Sequence, residues 1–321
     1  MSRALIIACQ YKKFPKNELF GCFNDAEAFI IRLKKIDPYI KITYMNDNLP
    51  EKNILFPNVQ NITRELFNLS KYPEKNIYFH YSGHGTTIVD DNNDENTILK
   101  TSNGNKISEL NGINRDSCMV CYSNGNISLI KDDDFYFLLS HLRANQTLLA
   151  FSDSCNSGTL FDLCNINVGN YTEQFLSNDI SKLLLDINNK CTIINSYYPN
   201  KTKIKANILL ISGTRDKDFA YETYINKKSS GIFTNNLCKI LDYGVKNMSL
   251  RTFYYLLMSS INRNDQIPVL TFSQNLNIDN YKMSLLGYKQ DKNIPHAPLQ
   301  LTPVSRAYFI GKGNIRRHYK K

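Results

Sequence analysis

NIYFHYSGHG at Asn76–Gly85 and TLLAFSDSCNSG at Thr147–Gly158 follow one pattern, an apolar run that stops abruptly in a small, polar turn. Short apolar runs bounded by such turns read as strands buried on both faces of a parallel sheet. In the first, Gly83 and Gly85 flank His84; in the second, Cys155 follows Asp153 and Ser154. Glycine permits a sharp turn and a close backbone approach, so His84 is presented at a strand tip. The two residues are far apart in sequence, but a parallel sheet brings the carboxyl ends of neighbouring strands together. An imidazole beside a thiol stabilises the thiolate, the species that attacks a carbonyl. Taken singly, a cysteine is most often a small buried hydrophobe and a histidine in a glycine turn is most often structural. The pairing of two strand-end turns is what points to chemistry.

Working outward, further buried strands are expected at Ala4–Cys9, Ile40–Tyr44, Ile77–Tyr81, Thr147–Phe151, Asn207–Ser212 and Pro268–Phe272. Helical periodicity falls between them, at Asp25–Lys35, Asn58–Leu69, Asp133–Leu142, Phe175–Asp186 and Thr234–Tyr243. Alternation of strand and helix predicts right-handed crossovers and an α/β fold, with a mainly parallel central sheet between helices on both faces. Reactive groups in such sheets collect beyond the carboxyl ends of the strands. Two polar stretches, Thr86–Arg115 and Cys164–Lys205, read as long surface loops.

Composition narrows the function. A net charge of +10 comes from Lys and Arg spread along the chain among acids, so no nucleic-acid partner is expected. The basic ending, IRRHYKK at 315–321, reads as a solvated terminus. Near the start the only apolar run, Ala4–Cys9, is too short for a signal segment or a membrane span, so a soluble, cytoplasmic protein is expected. Eight scattered cysteines lack the density of a disulfide framework. Cys118 and Cys121 form a C-x-x-C with no second pair, which fits alternation in a strand or turn better than zinc.

In this order the motifs resemble the metacaspases, caspase-like cysteine peptidases. ALIIACQY followed by NELFGCFNDAEAF at Asn17–Phe29, HYSGHGT at 80–86, KDDDF at 131–135 and SDSCNSG at 152–158 look like the family's first half. ILLISGTRDKD at 208–218, SSGIFTNNL at 229–237 and QIPVLTFSQNL at 266–276 are similar to its second half, and the cysteine motif is closest to the plant type. The resemblance implies a caspase-like three-layer sandwich. Residues 1–163 would form a large-subunit-like catalytic part, 164–206 a polar interconnecting loop, and 207–321 a small-subunit-like part completing the same domain.

It also implies roles. Cys155 would be the nucleophile and His84 its acid/base partner, a dyad working through a thioester, with the N–H groups of Gly85 and Cys155 as oxyanion hole. Asp25, Asp153 and Ser82 match the pocket for a substrate Arg or Lys at P1, the residue before the cleaved bond. A helix cap at Asp25 and turn-amide contacts at Asp153 are the plainer alternatives. Asp132, Asp133, Asp134 and Asp162 match a calcium site, although acids at a helix start also complement its dipole without metal. The DDNNDEN loop at 90–96 lacks the EF-hand glycine and glutamate. Self-cleavage would fall at Lys190, Lys201, Lys203 or Lys205. Protein or peptide substrates, a monomeric state and no membrane partner complete the expectation. Departures are Asn156 and Ser123, which stand where the family usually has His and often has Asp, and Phe219 and Tyr221 in a stretch that is usually polar. The alternative is a catalytically silent caspase-like protein that binds or regulates partners; retention of both His84 and Cys155 argues against it.

Overall fold

The computed structural model describes residues 2–89, 100–101, 115–163, 165–169, 191–195, 203–225, 228–245, 247–261, 266–273, 278, 280–286 and 307–310. In chain order these form β1 (Ser2–Ala8), α1 (Cys22–Ile36), β2 (Lys41–Asn46), α2 (Val59–Leu69), β3 (Asn76–Ser82), β4 (Gly85–Val89), β5 (Lys100–Thr101), β6 (Arg115–Ser123), β7 (Asn126–Lys131) and α3 (Asp132–Ser140). There follow β8 (Thr147–Asp153), β9 (Asn165–Gly169), β10 (Cys191–Asn195), β11 (Asn207–Ser212), β12 (Ala220–Ile225), β13 (Lys228–Gly231), α4 (Ile232–Tyr243), α5 (Leu250–Ile261), β14 (Val269–Phe272) and β15 (Ala307–Ile310).

The central sheet runs β2-β1-β3-β8-β11-β14-β9-β10-β5. Its first five strands are mutually parallel and the pairings beyond β11 are antiparallel. β1, β3, β8 and β11 carry the nearly unbroken buried runs that strands covered on both faces require. From β1 the chain moves outward to β2 and then back across it to β3. With right-handed crossovers that reversal puts α1 on one face and α2 on the other. α4 packs beside α1 and α5 beside α4, and α3 packs beside α2, which completes three layers.

The reversal also creates a crevice beyond the carboxyl ends of β1 and β3, the place where open α/β sheets bind ligands. Register aligns the strand ends there: Ala8 is level with Ser82, Ser82 with Asp153, and Ser152 with Ser212. His84 and Cys155 each lie two residues beyond this level line.

Several expectations need correction. Thr86–Arg115 is not one loop, since Thr86–Val89 belongs to β4 and Arg115 opens β6; with β7 these make a separate antiparallel sheet. Within Cys164–Lys205, Asn165–Gly169 and Cys191–Asn195 are central-sheet strands. These strands pair with segments distant in sequence, and local periodicity does not report such pairing. The helix α5 was not foreseen; nine of the twelve residues of LRTFYYLLMSSI are buried in it. The expected helix at Phe175–Asp186 lies outside the described residues. Cys118 and Cys121 are buried on β6, which is covered along nearly its whole length. Among the described residues no helix is long and apolar enough to cross a membrane.

Candidate active site

The histidine turn is fixed from several sides. The Nε2 of His84 lies 2.7 Å from the carbonyl oxygen of Asn17. A carbonyl only accepts, so Nε2 carries the hydrogen and Nδ1 is left as the basic nitrogen. The backbone N–H of His84 donates to the Tyr11 hydroxyl at 3.1 Å, and its carbonyl accepts from the Tyr81 hydroxyl at 2.6 Å and from the Val120 N–H at 3.1 Å. Burial lowers the pKa of the imidazole, with the Asn17 carbonyl acting in the opposite sense.

The cysteine turn meets it backbone to backbone. Gly83 N–H donates to the Asp153 carbonyl at 3.3 Å. A Cβ at Gly85 would lie only 1.8 Å from the carbonyl oxygen of Cys155, so no other residue fits between the two turns. Gly85 is thus held against Cys155 by close backbone contact. The Cys155 thiol is buried and accepts from the Ala220 N–H at 3.2 Å. Burial pushes it up to about 12, and Asp153 adds to the rise. Burial thus favours the neutral forms of both the thiol and the half-buried imidazole, against the thiolate that an imidazole beside a thiol would stabilise. Asn156 takes a left-handed backbone, φ 51°, which asparagine tolerates well, and its side-chain amide donates to the Asp216 carbonyl. The Asp216 carboxylate in turn accepts from Thr159 N–H at 2.9 Å, bracing the loop after the nucleophile.

Beside the two turns lies a nest of buried acids. Asp25, in the first turn of α1, accepts from the Ser82 hydroxyl at 2.8 Å, the Ser230 hydroxyl at 2.6 Å and the Gly231 N–H at 2.9 Å. Asp153 accepts from Thr234 N–H at 2.8 Å, and its other carboxylate oxygen is buried without a hydrogen-bond partner. Glu222 on β12, which sequence reasoning missed, accepts from Gly21 N–H at 2.5 Å and Phe20 N–H at 3.1 Å. It caps α1 from another part of the chain, in the space that Gly21 leaves by having no side chain. Its position beside the other acids has no local sequence signal, since only the pairing of β12 and β13 against α1 creates it.

Burial raises all three acids. Asp25 goes well above the usual carboxylate range, with Asp153 the next cause. Asp153 rises to about 6 against the Thr234 contacts, and Glu222 rises with Asp153 contributing. Among the described residues none of the three is ion-paired with a lysine or arginine. The plainer roles suggested for Asp25 and Asp153 hold in part, since both accept backbone N–H groups, but Gly231 and Thr234 belong to the far half of the chain.

The acids at the start of α3 are arranged differently. Asp132 is buried and accepts from Ser117 N–H at 2.5 Å and Asp133 N–H at 3.1 Å. Asp134 is exposed and accepts from Lys131 N–H at 3.4 Å in a capping box. Asp162 is buried in a left-handed turn, φ 48°. The Lys131 ammonium lies 2.9 Å from the buried Asp116 carboxylate. Among the described residues no three His, Cys, Asp or Glu side chains converge as metal ligands. Lys190 and Lys201 lie outside the described residues, while Lys203 and Lys205 are exposed just before β11.

Comparison with known proteins agrees with this architecture. The family described as the caspase domain matches residues 1–278. Metacaspase III c of Phaeodactylum tricornutum is 29% identical over 190 residues, 57% of this chain and 51% of that protein. Metacaspase-2 of Arabidopsis thaliana is 30% identical over 177 residues, 53% of this chain and 38% of that protein. The chain thus spans about half or less of the length of these relatives. A crystal structure of a Geobacter sulfurreducens protein shares the fold at 19% identity, covering 90% of this chain and 97% of that one with a TM-score of 0.55. The chain belongs to the caspase-domain family, and the curated relatives it matches there are metacaspases.

Proposed function

We propose that the chain is a cysteine endopeptidase that cleaves peptide bonds after Arg or Lys. The observation that carries this reading is the nest of Asp25, Asp153 and Glu222, buried beside the Cys155 and His84 turns with no basic side chain among the described residues to neutralise it. A guanidinium or ammonium entering the nest would relieve the mutual repulsion and meet the unpartnered oxygen of Asp153. An acidic P1 side chain would add a further like charge.

With P1 held there, Nδ1 of His84 takes the Cys155 proton as sulfur attacks the P1 carbonyl carbon. The N–H groups of Gly85 and Cys155 receive the developing oxyanion. His84 passes the proton to the leaving amine, and the C–N bond breaks to leave a thioester. Water, deprotonated by the same nitrogen, then attacks the thioester and restores the thiol. The hydrogen bond from Nε2–H to the Asn17 carbonyl supports the imidazolium formed in passing, a part that no other side chain needs to play. Self-cleavage after Lys203 or Lys205 is compatible with their exposure. No step is assigned to calcium.

Cleavage of fluorogenic peptides with Arg, Lys or Asp at P1, by the intact chain and by Cys155→Ala, tests the reading. Basic-P1 turnover that vanishes in the variant is the expected result; a folded chain that turns over none of the peptides, with or without Ca²⁺, would sink it.

A further inference from the structure

Two buried tyrosines, Tyr11 and Tyr81, meet behind the histidine turn. Their hydroxyls lie 3.0 Å apart, and each also lies 2.9 Å from the Val120 carbonyl. Tyr81 reaches the His84 carbonyl at 2.6 Å and Tyr11 receives the His84 N–H at 3.1 Å, so the pair holds both backbone polar groups of one residue. The ring of Tyr11 also lies against the imidazole, with centroids 4.8 Å apart and planes inclined by 35°.

Proton bookkeeping shows which contacts are fixed. Two hydroxyl hydrogens serve the carbonyls of Val120 and His84 and the contact between the two hydroxyls, so they can be shared in more than one way. In every arrangement Tyr11 keeps a lone pair for the His84 N–H. Removing the Tyr11 oxygen leaves that donor unmet, whereas removing the Tyr81 oxygen leaves the His84 carbonyl with the Val120 N–H.

Tyr11 itself is held at a cost. Its φ of 57° is left-handed, an uncommon state for a bulky residue. The Asp47 carboxylate stabilises it, accepting from Gln10 N–H at 2.9 Å, Tyr11 N–H at 2.6 Å and the Tyr122 hydroxyl at 2.6 Å. Strain held in place by surrounding contacts at such a position is consistent with a positioning role.

We propose that Tyr11 and Tyr81, anchored by Asp47, are positioning residues that aim Nδ1 of His84 at the nucleophile by clamping the backbone of its turn while Asn17 holds Nε2–H. The inference rests on reading His84 as the acid/base group. Neither tyrosine is asked to touch substrate.

The test compares Tyr11→Phe and Tyr81→Phe with the unaltered chain on a basic-P1 peptide, with folding followed by circular dichroism. Tyr11→Phe keeps the ring and is expected to lower kcat about tenfold with KM little changed, and Tyr81→Phe to lower it by only about threefold. Nitrogen-15 NMR of the histidine side chains supplies a readout independent of turnover: His84 is expected as a single Nε2–H tautomer in the unaltered chain and as a mixture in Tyr11→Phe. Unchanged kcat, an unchanged tautomer, or a fall in kcat that merely follows loss of folded protein would each overturn the clamp. If the unaltered chain itself cleaves nothing, the peptidase reading falls, and the NMR comparison still decides the clamp.

Discussion

Two acidic clusters of nearly the same composition sit within this chain and behave as opposites. At the pocket, Asp25, Asp153 and Glu222 are buried together, accept from hydroxyls and backbone N–H groups, and are pushed upward in pKa. At the start of α3, Asp134 is exposed, Asp132 is committed to two backbone N–H groups, and Lys131 neutralises Asp116. An aspartate becomes a ligand for a cation when burial raises the cost of its charge and leaves no cation beside it. Where a lysine or solvent already meets the charge, the same residue is structural.

Substitution in the pocket gives the largest expected contrast. On the proposed reading Asp153→Asn removes a charge that would face a P1 cation, and kcat/KM for an Arg-P1 peptide is expected to fall by about 100-fold while a neutral-P1 peptide changes by less than about threefold. Glu222→Gln should move in the same direction by a smaller factor, because Glu222 is also tied to Gly21 and Phe20. Equal losses on both peptides would erase the distinction between the clusters.

Titration sharpens it further. Asp153 has a folded-state pKa raised from 3.8 to about 6, so across that window the folded chain keeps a proton that the unfolded chain has released. Stability from this group therefore falls as pH rises from about 4 to about 6. Binding of a basic P1 side chain needs the ionised form, so KM for an Arg-P1 peptide is expected to fall as pH rises through about 6. A neutral-P1 peptide should show no such step, and a step in both would place the titrating group elsewhere.

The smallest effects belong to the α3 cluster. Lys131→Met leaves the buried Asp116 without its ammonium, and the loss, reduced by the partial exposure of Lys131, is expected at about 1–3 kcal/mol in denaturant unfolding. Asp134→Asn, at an exposed cap, should cost about 0.5 kcal/mol or less. Neither is expected to change P1 preference.

Much of this was legible in the chain itself, for identifiable reasons. The strands at Ala4–Cys9, Ile77–Tyr81, Thr147–Phe151 and Asn207–Ser212 stood out because both faces are covered, which forces an unbroken apolar run. Asp25, Ser82 and Asp153 were singled out through motif resemblance, and the fold brings them to one place. Glu222, Asn17, Tyr11 and Asp47 were not singled out. Each reaches the site through a contact with residues far away in sequence, which the motifs around Tyr11 and Asn17 do not spell out.

The order of residues alone determined the α/β layering and the two strand-end turns that carry His84 and Cys155, because strand burial and glycine turns are local consequences of composition. The tertiary structure alone decided which histidine nitrogen is basic, that burial pushes the Cys155 thiol upward in pKa, and that a glutamate from β12 joins two aspartates from elsewhere. Those properties depend on burial and on which carbonyl, amide or carboxylate lies within hydrogen-bonding distance, and such distances exist only once the sheet has closed its distant segments together.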